Sequence, residues 1–183
     1  MISMQPVTKK FIDYHLVKGL YFSSFSKADR VPITYLLSRA KIDTVAFNAY
    51  YDKDLFVGFS YTTTFKDLTY IMFLAICPDI RSKGYGTQII DFIQGQYPGN
   101  RIVVNIATED ENADDNEYRI KRKAFYTRLG FTPVGILIEM EGMPYEVIIS
   151  EGTCTVEEFK NTFKNYAGSL LFSLYRPKIS KQS

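Results

Sequence analysis

The chain has 183 residues, enough for one domain with a sizeable core, and its 46% hydrophobic and 23% charged residues are ordinary for a globular protein. A formal net charge of +2 gives no basis for a nucleic-acid or membrane partner, and the longest apolar run, Ile71 to Cys77, is far short of the ~20 residues that cross a bilayer. Met1 to Lys10 lacks a signal-peptide pattern, and Cys77, Cys154 and the single histidine, His15, have no metal-ligand or catalytic spacing, so the expectation is a cytoplasmic protein with reduced thiols and no metal.

In chain order, the first ~42 residues read as helical, with Phe11, His15, Leu16, Leu20 and Phe22 near helical spacing and Pro32 opening a second helix to about Arg39. The period then changes. Thr44–Tyr50, Leu55–Thr63 and Leu68–Ile76 are rich in β-branched and aromatic residues and are separated by the polar turns Asp52-Lys53-Asp54 and Phe65-Lys66-Asp67, which predicts an antiparallel meander. The third strand is apolar on both faces and is expected to be central and covered on both sides. Gly86–Gln94 has the pattern of an amphipathic helix, and Arg101–Ala107 that of a buried strand reached by a parallel crossover. After the acidic loop Glu109–Asp115 a helix is expected from Asn116 to Leu129, ending at Gly130. Phe131–Ile138 and Pro144–Ile149 form a last strand pair. Thr155-x-x-Glu158 is a capping box for a short helix with Val156, Phe159, Phe163 and Tyr166 inward, and the apolar tail Leu170–Tyr175 is expected to dock.

The segment richest in chemistry is Cys77-Pro78-Asp79-Ile80-Arg81-Ser82-Lys83-Gly84-Tyr85-Gly86-Thr87, a buried strand, a turn with two glycines and a helix start. A helix N-terminus leaves amides without partners and carries partial positive charge. Two glycines clear side chains from those amides, and Arg81 and Lys83 add cationic groups, so a pyrophosphate fits the turn. By its glycines alone the segment reads first as a strand-to-helix turn in which they allow tight packing. A P-loop is absent, and the third glycine of a dinucleotide fingerprint is missing.

Pro78-x-x-Arg81-x-x-Gly84-x-Gly86, between an apolar strand and an amphipathic helix, resembles the R/Q-x-x-G-x-G/A cofactor motif of the GNAT superfamily of N-acetyltransferases. A second stretch, Arg122-Lys123-Ala124-Phe125-Tyr126-Thr127-Arg128-Leu129-Gly130-Phe131, is similar to that family's Y-x-x-x-G-F ending of the last core helix, and the order of elements matches from Thr44 to Ile149. The resemblance implies a mixed α/β (α+β) fold. Its central sheet would be mixed but mostly antiparallel, with helices on both faces and a splayed parallel strand pair receiving the cofactor. It also implies a single acetyltransferase domain over 1–183, with N-terminal helices in 1–42, the core in 43–150 and a C-terminal helix and tail in 151–183.

Carried onto these positions, the amides of Ser82, Lys83, Gly84, Tyr85, Gly86 and Thr87, beside Arg81, would hold the pyrophosphate of coenzyme A. Leu74, Ala75 and Ile76 would pair with the pantetheine arm. Tyr126 stands where the family often has a tyrosine that protonates the departing thiolate, a role suited to a phenol. The same residue also reads as a core aromatic beside Ile120, Ala124, Phe125 and Leu129. No acid lies on the central strand, so Glu109 is the candidate general base, with Asp110 and Glu111 as rivals. Arg119 stands where many family members carry a pantetheine-contacting asparagine, and Asn116 lies one turn earlier.

The implied activity is acetyl transfer from acetyl-CoA, without a metal, directly to a primary amine of a small molecule or peptide. No nucleic acid or membrane is an expected partner, and the resemblance permits a homodimer. The amine itself is not legible. The alternative is a coenzyme A-binding regulatory or partner-binding module without catalysis.

Overall fold

The computed structural model describes residues 2–27, 29–140, 142–175 and 178–181, with the side chains of 169–175 outside the described set. The strands are β1 (Ser3–Pro6), β2 (Val45–Asp52), β3 (Leu55–Phe65), β4 (Leu68–Ile76), β5 (Arg101–Ala107), β6 (Thr132–Met140), β7 (Met143–Ile149) and β8 (Lys178–Lys181). The helices are α1 (Tyr14–Ser24), α2 (Ile33–Arg39), α3 (Tyr85–Gln96), α4 (Asn116–Arg128) and α5 (Val156–Tyr175). The fold is α+β. Its strands run in the order β1-β2-β3-β4-β5-β7-β6-β8, mostly antiparallel, with β4 and β5 as the parallel pair. Compact contacts divide the chain into one unit of Met1–Thr63 and Ile71–Pro98 and a second of Thr64–Tyr70 and Gly99–Ser183, so β4 contributes to both.

The first unit buries an aromatic cluster. The Tyr21 ring lies 5.2 Å from Phe73, Phe25 lies 4.9 Å from Phe73, and Phe47 lies 5.3 Å from Tyr61, mostly edge to face. The Tyr21 hydroxyl donates to the Val31 carbonyl at 2.9 Å and accepts from the Val31 amide at 2.8 Å, tying α1 to the segment before α2. The buried face of α1 is Val17, Leu20 and Tyr21. Leu16 and Phe22, expected on that face, are 39% and 46% exposed. The Arg30 guanidinium covers the Phe22 ring at 4.8 Å, so a cation–π contact stands in for core packing there.

The meander forms as expected. The two hairpins close through Lys53 and Lys66 at φ 55° and 56°, a backbone region that non-glycine residues adopt mainly in tight turns. Within β4, Phe73 and Ala75 are buried while Met72, Leu74 and Ile76 are only half-buried. Strand alternation sends those three to one face, and that face stays partly open, against the expectation of full cover on both sides.

In the second unit β5 pairs with β7 (Val103 with Ile149) and β7 with β6, so the last hairpin inserts its second strand beside β5. Strand β1 lies within the first ~42 residues, expected to be helical, and neither β1 nor β8 has a signal in the sequence. Both are four-residue strands ordered by backbone pairing to a neighbour, β1 to β2 and β8 to β6, and neither has an apolar face long enough to register as a period. Helix α5 runs beyond the short helix expected and has a non-helical break at Gly168. The docking expected of Leu170–Tyr175 lies outside the described side chains.

The capping box forms. The Thr155 amide donates to Glu158 Oε2 at 2.8 Å, and the Glu158 amide donates to Thr155 Oγ1 at 3.2 Å. Arg101 joins it, pairing with Glu158 at 2.8 Å and with Asp67 at 3.0 Å. The Arg101 hydrogen bond, with help from the Thr155 donors, pulls the Glu158 carboxyl down to about 2. A depressed carboxyl stabilises the fold above its unfolded pKa near 4.5 and loses that contribution as pH falls through its folded value. Thermal melts of the native protein should therefore fall steadily from pH 5 toward pH 2. Glu158→Gln should flatten part of that decline, and an unchanged acid limb would contradict the network's role.

Candidate active site

Two separate groups of residues contain the sequence-derived candidates. The first is a continuous strand, turn and helix. After β4, Pro78–Ile80 make a short 3-10 turn, and Arg81 Nε reaches back to the Ile76 carbonyl at 3.3 Å. The chain then passes through two left-handed residues, Ser82 at φ 62° and Gly84 at φ 82°. Gly84 is the N-cap of α3, and no side chain caps it. The Gln88 amide, donating to the Gly84 carbonyl at 3.1 Å, is one turn into α3, so the amides of Tyr85, Gly86 and Thr87 precede that first helical bond. Arg81, Ser82, Lys83 and Gly84 are exposed. The Tyr85 side chain turns away to donate to Asp52 Oδ2 at 2.8 Å, which anchors the turn to the β2–β3 hairpin and raises the Tyr85 pKa. The result is an exposed turn with uncapped amides and two adjacent cations, the features that suit an anion.

Behind it, β3 approaches β4 closely. The pairing steps from Tyr50–Gly58 to Tyr51–Phe56, leaving Val57 as a bulge, and the Cys77 amide donates to the Val57 carbonyl at 3.0 Å. A Cβ on Gly58 would sit 2.2 Å from the Ala75 carbonyl oxygen. Nothing in the sequence pattern singled out Gly58, because its demand comes from a neighbouring strand. Cys77, half-buried, has its thiol pKa raised by burial and donates to the Phe56 carbonyl at 3.4 Å, the behaviour of a packing residue rather than a nucleophile.

The second group comprises Glu109 in the loop after β5 and Asn116 and Tyr126 on α4, near Glu146 of β7. Tyr126 is 2% exposed, with ring contacts at 5.0 Å to Phe125 and 5.3 Å to Phe131. The apolar face expected to surround it is not the buried face of α4: Ile120 is 46% exposed, Ala124 is exposed, and the buried residues are Arg119 and Tyr126. Burial raises the Tyr126 pKa, and the neighbouring Arg122 opposes that rise. Glu109 is exposed and lies 3.6 Å from Lys123 Nζ, which binds Glu146 more closely at 2.8 Å. Asn116 Oδ1 accepts from the Asp110 amide at 2.9 Å, holding the acidic loop against the start of α4. Arg119 pairs with Asp115 at 2.7 Å and donates to the Thr108 carbonyl at 3.0 Å, so this arginine braces the loop. Among the described residues, no group of three or more His, Cys, Asp or Glu is placed to hold a metal ion. Among them, too, no helix is long and apolar enough to cross a membrane.

Residues 43–133 match the family model described as an acetyltransferase (GNAT) domain, a span that includes both glycine turns and Tyr126. A protein from Bacteroides thetaiotaomicron assigned as a GNAT-family acetyltransferase superposes with a TM-score of 0.70 at 22% identity, covering 94% of this chain and 98% of its own. An aminoglycoside 6'-N-acetyltransferase complexed with coenzyme A gives a TM-score of 0.62 at 14% identity, covering 80% of this chain and 95% of that one. The ribosomal-protein-S18-alanine N-acetyltransferase from Escherichia coli gives 0.60 at 12% identity, covering 85% and 96%. At these identities the likeness is one of fold. No curated protein sequence matches the chain.

Proposed function

This chain belongs to the GNAT acetyltransferase family and is an acyltransferase, and from that premise we propose that it moves the acetyl group of acetyl-CoA directly to a primary amine of a small molecule or peptide. The observation that carries the proposal is the turn from Arg81 to Thr87. Its left-handed Ser82 and Gly84 and the amides ahead of the first α3 bond suit a pyrophosphate, and Arg81 and Lys83 add charge. In this reading Leu74, Ala75 and Ile76 pair with the pantetheine arm along the partly open face of β4, and Asn116 is a further cofactor contact. Tyr126 gives its proton to the coenzyme A sulfur as the C–S bond breaks. A buried phenol with a raised pKa remains protonated at neutral pH, as a general acid must.

Glu109 is the proposed base that accepts the amine's proton. Its ion pair with Lys123, at 3.6 Å, commits the carboxylate to a structural contact and favours one alternative, a coenzyme A-binding regulatory or partner-binding module without catalysis. The two solved relatives act on an aminoglycoside and on a protein alanine, so a small-molecule or peptide acceptor is the proposed partner, with no nucleic acid or membrane. A cytoplasmic location belongs to the same reading, supported by two free thiols.

Acetyl-CoA turnover, read as free-thiol release over polyamines, aminoglycosides, amino acids and peptide N-termini, tests the proposal. Turnover on at least one amine is expected, with Tyr126→Phe lowering kcat by about 10²–10⁴-fold. Tight acetyl-CoA binding without turnover on any amine would establish the module instead.

A further inference from the structure

Tyr118, Arg122 and Tyr126 occupy successive i, i+4 positions of α4 and therefore share one face. Arg122 stands one helical turn from each tyrosine and interacts electrostatically with both. Tyr118 is 51% exposed and Tyr126 is 2% exposed, so the arginine links an exposed phenol to a buried one. Other elements of this unit contribute Tyr70 from β4, close enough to Arg122 and to Tyr145 of β7 to feel both, with its hydroxyl donated to Asn105 Oδ1 of β5.

The carboxylates nearby are committed elsewhere. Asp115 pairs with Arg119, Glu117 with Lys121, and Glu109 and Glu146 with Lys123. Among the described residues no Asp or Glu forms an ion pair with Arg122. A half-buried cation surrounded by phenols gains interaction energy when one of those phenols loses its proton.

We propose that Arg122 is a positioning residue for Tyr126, its charge one turn away stabilising the tyrosinate left after proton transfer. The inference rests on the reading of Tyr126 as general acid. In that step the amine nitrogen bonds to the acetyl carbon and the C–S electron pair leaves on sulfur. The sulfur takes the phenol proton, leaving the tyrosinate oxygen charged. Glu109 takes the proton lost by nitrogen, and exchange through solvent returns a proton to that oxygen. Burial by itself opposes a tyrosinate, and the adjacent guanidinium charge offsets it.

The experiment uses the full chain and the fastest amine of the panel. Arg122→Met should lower kcat by about 10- to 100-fold with little change in the acetyl-CoA KM, and Arg122→Lys should recover part of the loss. In a Tyr126→Phe background Arg122→Met should cost almost nothing, because the group it serves is gone. With difluorotyrosine at position 126, whose lower pKa brings the alkaline limb of kcat into range, Arg122→Met should move that limb up by roughly one pH unit. If Arg122→Met does not fold, Arg122→Gln, which keeps a donor but not the charge, carries the same measurements. If Tyr126→Phe leaves kcat unchanged, or no amine turns over, the acid reading fails and this inference with it. If Tyr126→Phe is costly but the folded Arg122 variants keep a normal kcat and alkaline limb, only the inference fails. A loss from Arg122→Met as large in the Tyr126→Phe background as in the native protein also overturns the inference alone.

Discussion

Gly84→Val should weaken acetyl-CoA binding by at least ~10-fold while the protein stays folded. Gly84 sits at φ 82°, where an L-residue pays roughly 1–2 kcal/mol and a β-branched one more. Packing is not at stake, because a Cβ at this position meets nothing within 4 Å. The valine backbone must therefore either bear the strain or relax toward negative φ. Relaxation re-aims the amides of Tyr85, Gly86 and Thr87, so the cradle loses the convergence that suits a pyrophosphate. Calorimetric titration with acetyl-CoA, beside a thermal melt, separates the two consequences. Lys83→Ala is the control, removing an exposed charge without moving the backbone, and it should cost less. A folded Gly84→Val protein that binds acetyl-CoA like the native one would sink the assignment of this turn to the cofactor.

The second large effect is expected one strand away. Gly58→Ala places a methyl group 2.2 Å from the Ala75 carbonyl oxygen, with the Ala75 carbonyl carbon and Ile76 Cα both at 3.2 Å. All three are backbone atoms, so no rotamer change relieves the clash, and β4 must shift or the pairing must open. Overpacking of this kind costs about 2–3 kcal/mol, or roughly 4–12 °C in Tm for a chain of this size. The segment pushed aside, Ala75 and Ile76, is also the one proposed to pair with the pantetheine arm. Gly58→Ala should accordingly lower both Tm and acetyl-CoA affinity, whereas Gly95→Ala, an alanine in a helix with open space at its Cβ, should do neither. Normal stability and affinity in Gly58→Ala would show that β3 and β4 are less tightly apposed than described.

Much of this was legible in the amino-acid order. The meander, the crossover through α3, the capping box and the glycine turn each rest on local chemistry: residue alternation, turn residues and helix caps act within a few positions of themselves. The family resemblance rested on the same short-range pattern, since Arg81-x-x-Gly84-x-Gly86 and Tyr126-x-x-x-Gly130-Phe131 are each contained in one turn or one helix end.

What the sequence could not supply depends on partners distant along the chain. The strands β1 and β8 exist because β2 and β6 offer them open edges, and their own four residues carry no period. The buried face of α4 is not its apolar stripe, because Arg119 is drawn inward by Asp115 and the Thr108 carbonyl while Ile120 stays in solvent. Gly58 matters only because the Ala75 carbonyl arrives from the next strand. For the chemistry, sequence alone determined the cofactor turn and Tyr126 as candidates, since both lie in local motifs. The tertiary structure decided the settings of the proposed acid and base: Tyr126 is buried and feels the charge of Arg122, while Glu109 is exposed and paired with Lys123. Burial and ion pairing are properties of what surrounds a side chain, and those surroundings exist only once the chain has folded.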